Sequence, residues 1–335
     1  MAGEVSGSMP IRRRERTFTY VSSPVFAVGG DDLVDFNCQS SKEEKTCLAA
    51  ECSANLELFR RSALARRRYD HLAHRPFDRL FYQKSVVDCL KTIRASGFRM
   101  IEVCSSPLHL DYHNLSAVRR AAALFSELGM EAYSFHAPFA DHIDISSLDA
   151  DTRAKTLKEM LDAAEAAAAL EVHYIVVHPG PESAIIPPRE ETLERMENVV
   201  DALNQVAQRC HALGISCVLE NKLPHLLFGR TSDILWILDA LDSVEVGACL
   251  DTGHAAISGD LHNLILKLAG HLKMVHANDN GGVHDDHLPP GDGRVDWGSL
   301  LREMEKIGFE GAFILELAGI IEPGATMANA RRGRS

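Results

Sequence analysis

The chain has 335 residues, 46% apolar and 24% charged, enough to bury one large domain with a segment left over. The formal net charge is −12, and residues 1–77 carry 12 Lys/Arg against 10 Asp/Glu, so the remainder is more acidic than the whole. An acidic chain repels a phosphate backbone unless basic residues gather locally, and no apolar run is long enough to span a bilayer; nucleic-acid and membrane classes are disfavoured.

Residues 1–77 are rich in Ser, Gly and charge and read as a disordered or loosely helical extension. A helical stretch from Glu43 to about Arg68 carries Arg60, Arg61 and Arg66–Arg68; an arm for nucleic acid or an anionic surface is its sharper alternative. Arg12–Arg16 ahead of Phe18–Val28 makes a poor signal peptide, because Ser22, Ser23 and Pro24 break the apolar stretch. From Phe77 onward, short apolar runs alternate with amphipathic stretches. Phe77–Tyr82 is a weak first strand, and Lys84–Ser96 a helix stopped by Gly97. Phe98–Val103 is a strand, Leu115–Leu128 a helix stopped by Gly129, and Glu131–His136 a strand. Asp149–Leu170 is a long Ala-rich helix, Val172–His178 a strand, and Glu190–Leu213 a helix stopped by Gly214. Ile215–Glu220, Val244–Asp251, His271–Ala277 and Ala312–Leu317 are strands, separated by helices at Ser232–Leu241, Asp260–Ala269 and Trp297–Ile307.

Parallel βαβ units follow from that alternation, and eight of them imply a (β/α)8 TIM barrel over about residues 78–320, with 321–335 as a tail. An open doubly wound sheet is the other architecture, but the Gly-rich phosphate turn expected after an early strand is missing from the sequence. The barrel is expected to be imperfect at its first strand and eighth helix: the former is short, and Pro323 and Gly324 interrupt the latter.

Of eight cysteines none forms a CxxC pair, and Cys104, Cys217 and Cys249 fall in strand-like runs as small buried hydrophobes, which fits a reducing, cytoplasmic setting. The polar residues that interrupt the apolar runs do so at strand ends. His136, His178, Glu220, Asp251, His276 and Glu316 each close such a run or sit near its end, and C-terminal strand ends of a barrel open on one mouth. Any one of them is most often just hydrogen-bonded. Six at consecutive strand ends point to a shared cation, since burying a polar group alone costs roughly 2–7 kcal/mol and a charge more. Glu220, Asp251, His276 and Glu316 offer three carboxylates and one imidazole, a set suited to Mn2+, Mg2+, Co2+ or Zn2+. His254, three residues after Asp251, is placed for a second metal or for substrate. Asp285 and His287 have the D-x-H spacing of two ligands on one extended segment, in a loop whose bland reading is a solvated surface turn. Asp296 is placed to cap the helix starting at Trp297.

From about residue 84 to Glu316 the chain resembles the sugar phosphate isomerase/epimerase group with a xylose isomerase-like TIM barrel. The resemblance rests on His-Ala-Pro at 136–138, His-Pro-Gly at 178–180, Leu-Glu-Asn at 219–221 and Leu-Asp-Thr-Gly-His at 250–254. It also rests on Asp-x-His-Leu-Pro-Pro-Gly-x-Gly at 285–293 and Leu-Glu-Leu at 315–317. It implies one divalent ion on Glu220, Asp251, His276 and Glu316. That ion would chelate the carbonyl and a neighbouring hydroxyl of a small sugar-like substrate and stabilise an enediolate, with Glu220 and Glu316 moving the proton on opposite faces. His254 would steady a substrate oxygen, Glu102 would line the pocket, and copies would pair as a homodimer. The endonuclease IV type of abasic-site nuclease belongs to the same superfamily, and the chain resembles it as well. Its nine ligands for three zinc ions fall on His136, His178, Glu220, Asp251, His254, His276, Asp285, His287 and Glu316. The isomerase reading is preferred, because the Leu-Pro-Pro-Gly-x-Gly-x-x-Asp-Trp tail is closer to the sugar group and the barrel is acidic, with no evident wedge loop for opening a duplex.

Overall fold

The computed structural model describes residues 84–183, 185–242 and 246–317. Seven parallel strands form one sheet in sequential order: β1 (Met100–Cys104), β2 (Glu131–His136), β3 (Tyr174–Val177), β4 (Ser216–Glu220), β5 (Gly247–Asp251), β6 (Leu272–Ala277) and β7 (Ala312–Leu315). Helices lie between them: α1 (Val86–Ala95) precedes β1, then come α2 (Leu115–Glu127), α3 (Ala150–Ala169), α4 (Thr192–Leu213), α5 (Thr231–Ala240), α6 (Thr252–Ser258), α7 (Leu261–Leu268) and α8 (Trp297–Lys306). The sheet curls into a nearly closed barrel. Ala312 on β7 donates across its interior to the Tyr133 hydroxyl on β2 at 3.4 Å, and His276 on β6 reaches Glu102 on β1 at 3.1 Å. The expected first strand, Phe77–Tyr82, the extension over 1–77 and the tail over 321–335 lie outside the described residues.

The expected elements form, with ends moved by a few residues. Side-chain caps set several starts: Asn114, Asp149 and Asp296 accept from Ala117, Thr152 and Ser299 backbone N–H groups at 3.1, 2.9 and 3.0 Å. Gly214 stops α4 at φ +78°, a left-handed conformation that costs a residue with a Cβ but not glycine. The short helix α6 had no counterpart in the sequence reading; its seven residues are too few to show an amphipathic period.

The core has two layers. Helix faces pack on the outside of the strands, while Val176, Val218, Cys249, Met274 and Ile314 fill the barrel interior. Side chains on one strand face recur every second residue. His178, Glu220, Asp251, His276 and Glu316 lie two residues beyond those five, so they form the next interior layer up, at the mouth. Cys104, Cys217 and Cys249 are buried, and burial pushes the Cys249 thiol up to about 12. No described helix is long and apolar enough to cross a membrane.

Candidate metal centre

Nine residues gather at the mouth in three groups, each with ligand atoms within 4.8 Å of one another: His136, His178 and Glu220; Glu220, Asp251, His276 and Glu316; and His254, Asp285 and His287. Every residue named from the sequence as a ligand or extra ligand is among them, and Glu220 belongs to two groups. Its Oε2 lies 3.2 Å from His136 Nε2 and 3.1 Å from His178 Nε2, while its Oε1 lies 3.3 Å from His276 Nδ1. Glu316 Oε2 approaches the same His276 nitrogen at 3.3 Å.

The imidazoles share one arrangement. His136, His254 and His287 each set Nδ1 against a backbone carbonyl, that of Ala137, Asn221 and Glu316, at 2.9, 2.8 and 3.1 Å. A carbonyl only accepts, so Nδ1 carries the hydrogen and, in a neutral ring, Nε2 is left with its lone pair. Those Nε2 atoms face carboxylates: Glu220 for His136, and Asp285 Oδ2 for His254 and His287 at 3.3 and 2.8 Å. His276 is turned the other way, with Nε2 against Glu102 Oε2 and Nδ1 toward the centre, buried and without a hydrogen-bond partner. A lone pair facing a carboxylate is repulsive unless a proton or a metal ion lies between them. One nitrogen pinned from behind and the other aimed inward is the outer-shell arrangement of metal-binding histidines. Asp285 Oδ1 is likewise buried without a hydrogen-bond partner. The residues fit divalent ions.

Electrostatics agree. Burial, helped by the carboxylates of Glu316, Glu220 and Asp285, pushes Asp251 up to about 6 against the pull of His254. Burial opposes charge on His254 and His276, yet the anions around each outweigh it and hold both well above the ordinary imidazole range. Burial also works against the Glu220 carboxylate, but His276 and His178 more than offset it and keep Glu220 well down. Crowded carboxylates thus favour the protonated form of these histidines.

Local structure fixes the set. Asp251 caps α6 by accepting from the His254 N–H on Oδ1 at 2.7 Å, and Asn278 Nδ2 donates to its Oδ2 at 2.7 Å. Asn221 brackets the Asp251 backbone, accepting from its N–H and donating to its carbonyl at 2.8 and 3.0 Å. The long loop after β6 is tied to Asp279, whose carboxylate accepts from the N–H groups of Asn280, Gly291 and Val295 and from Trp297 Nε1, all at 2.9–3.0 Å. This is no loose surface turn: it holds His287 at φ +46°, a conformation that costs most residues of order 1 kcal/mol. Glu102, expected to line the pocket, sits behind His276 and accepts from the Ser134 hydroxyl at 2.7 Å. Lys222, Asp279 and Glu182 carry no sequence signal beyond polarity near these residues, and Asn221 none beyond its place in Leu-Glu-Asn.

Comparison with known proteins agrees with this architecture. Residues 90–332 match the family described as xylose isomerase-like TIM barrel. The uncharacterized protein MJ1311 of Methanocaldococcus jannaschii is 31% identical over 245 residues, 71% of this chain and 80% of its own. A probable endonuclease 4 of Mycobacterium leprae is 27% identical over 183 residues, 52% of this chain and 68% of its own. Among solved structures, a D-tagatose 3-epimerase-like protein superposes with a TM-score of 0.66 at 26% identity, covering 76% of this chain and 92% of that one. With more than two thirds of its length matched to that family, the chain belongs to the xylose isomerase-like TIM barrel family.

Proposed function

We propose that the chain is a divalent-metal-dependent isomerase or epimerase of a sugar-like substrate, using Mn2+, Mg2+, Co2+ or Zn2+. The observation that carries this reading is the chemistry of the mouth. Glu220 and Glu316 flank His276 Nδ1 at 3.3 Å each. The described residues of the loops leaving the strand ends, 105–114, 137–149, 178–183, 185–191, 221–230 and 278–296, hold only Arg189, Lys222, Arg230 and Arg294 as Lys or Arg, with Lys222 buried. Their exposed apolar side chains include Leu108, Ile185, Ile186 and Val283. Such a rim admits a small neutral or polyhydroxy molecule and lacks the basic track of a nucleic-acid site. Similarity to the epimerase-like structure supports the same substrate class. Glu220, Asp251, His276 and Glu316 would hold the ion, which would supply Lewis-acid polarisation of a substrate carbonyl. Glu220 and Glu316, both carboxylate-bearing and at the ends of different strands, take and return the proton at the neighbouring carbon.

A second reading, phosphoester hydrolysis at three zinc ions as on abasic DNA, is favoured by one specific observation. Two further ligand groups are complete, and Glu220 turns its second oxygen toward His136 and His178 as a bridging ligand would. One pair of measurements separates the readings. The isomerase should hold one tight divalent ion per chain and exchange a substrate hydrogen with solvent. The substrates are a panel of ketopentoses and ketohexoses, with and without a terminal phosphate. Glu220→Gln and Glu316→Gln should each abolish that exchange; exchange persisting in both removes the acid/base assignment. Three zinc ions per chain with cleavage of abasic duplex DNA establish the second reading instead.

A further inference from the structure

His178 is held differently from the three histidines that lean on backbone carbonyls. Its Nδ1 lies 2.6 Å from Glu182 Oε1, a side chain four residues on, beyond a Pro-Gly-Pro turn. The Glu182 side chain is 27% exposed, enough to swing out into water unless something holds it. Lys222 does so: its Nζ lies 3.2 Å from the same Oε1. That ammonium also donates to the Gly180 carbonyl at 2.9 Å and to the Pro181 carbonyl, so one lysine clamps both the carboxylate and the turn that carries it. The Lys222 side chain is 1% exposed. Burying a lysine is costly, and an apolar residue of similar volume would often serve stability as well. Its three partners are all on the turn behind His178. Lys222 stands two residues after Glu220, which faces Nε2 of the imidazole whose Nδ1 Glu182 holds.

We propose that Glu182 and Lys222 are positioning residues that hold the His178 ring with its Nδ1–H on Glu182 and its Nε2 presented to a divalent ion at the His136, His178 and Glu220 group. The run Glu220-Asn221-Lys222 then serves all three groups. Glu220 supplies the shared carboxylate. Asn221 fixes the Asp251 backbone and His254 Nδ1, and Lys222 fixes His178 through Glu182. The inference rests on the second reading above only in requiring an ion at that group, which under the first reading binds more weakly than the one tight ion of Glu220, Asp251, His276 and Glu316.

The test uses the full-length chain and the ions alone, with zinc titrated calorimetrically and cobalt(II) followed by its visible spectrum. His136→Ala identifies the binding event that belongs to the group. Glu182→Ala should weaken that event about 10–100-fold, the usual effect of removing an outer-shell partner, and leave the others within about twofold. Glu182→Gln should restore most of the loss, because the amide oxygen still accepts from Nδ1–H. Lys222→Met should weaken the same event, and it carries the test alone if Glu182→Ala does not fold. Unchanged affinity at that event in both Glu182→Ala and Lys222→Met overturns the relay. So does equal weakening of every event, the mark of a merely structural role. If His136→Ala leaves the ion count unchanged, no ion occupies the group and the relay has nothing to present. That failure is read from a ligand variant and is therefore distinct from the first two.

Discussion

Replacing Asp279 by Asn changes almost no volume, yet it should be among the most damaging substitutions in the barrel. Asp279 is fully buried, and its two oxygens receive four donors: the N–H groups of Asn280 and Val295 on Oδ1, and the Gly291 N–H and Trp297 Nε1 on Oδ2. An amide presents one oxygen and one NH2. Whichever way it sits, two of the four donors meet another donor. Each buried donor left unsatisfied costs about 1–3 kcal/mol, so the pair costs about 2–6. For a domain of this size each kcal/mol lowers the melting temperature by about 2–4 °C; a mid-range loss of about 4 kcal/mol gives roughly 8–16 °C. The loop held by Asp279 carries Asp285 and His287, so ion binding at their group should weaken in parallel. Thermal unfolding of the metal-free Asp279→Asn variant measures the first effect and zinc titration the second. A melting temperature within about 2 °C of wild type refutes the account of Asp279 as an acceptor-only hub.

A Cβ on Gly253 would lie 1.9 Å from Asn278 Oδ1, so Gly253→Ala must displace the side chain that donates to Asp251. It should destabilise the chain by about 1–3 kcal/mol in thermal unfolding and weaken cobalt(II) binding. By contrast Gly214→Ala meets no atom within 4 Å and should cost about 1 kcal/mol from its positive φ alone, with ion binding unchanged. The raised imidazoles of His178, His254 and His276 set a pH dependence with a definite sign. Their contribution to the stability of the metal-free protein is complete below the unfolded value of about 6.5 and is lost as pH climbs through the raised folded values. Ion binding must expel those protons, so zinc affinity should rise with pH between about 6 and 8, with proton release measurable from buffer-dependent heats. Zinc affinity that falls over that interval contradicts the assignment of the imidazoles as ligands.

The candidate ligands stand out in the sequence for a reason that excludes most of their supports. A barrel strand is an apolar run, and a carboxylate or imidazole ending it stands out because burial there is costly; Val218-Leu219-Glu220 and Ile314-Leu315-Glu316 are of this kind. Period-two alternation then places His178, Glu220, Asp251, His276 and Glu316 above a filled interior layer, which is why residues far apart in the chain meet at one mouth. Glu102 carries the same signal, since it too lies on a strand, but the run cannot say whether the carboxylate faces substrate or a neighbouring histidine. The approach of β1 to β6 across the barrel is what brings it to His276. Asp279, Glu182 and Lys222 sit in loops, where polarity is the default and carries no signal. Their partners are set by turns whose course depends on the very contacts they make: Trp297 lies 18 positions from Asp279, and Gly180 lies 42 from Lys222. Spacing along the chain exposes a residue that a strand holds in place, and conceals one that holds a loop in place.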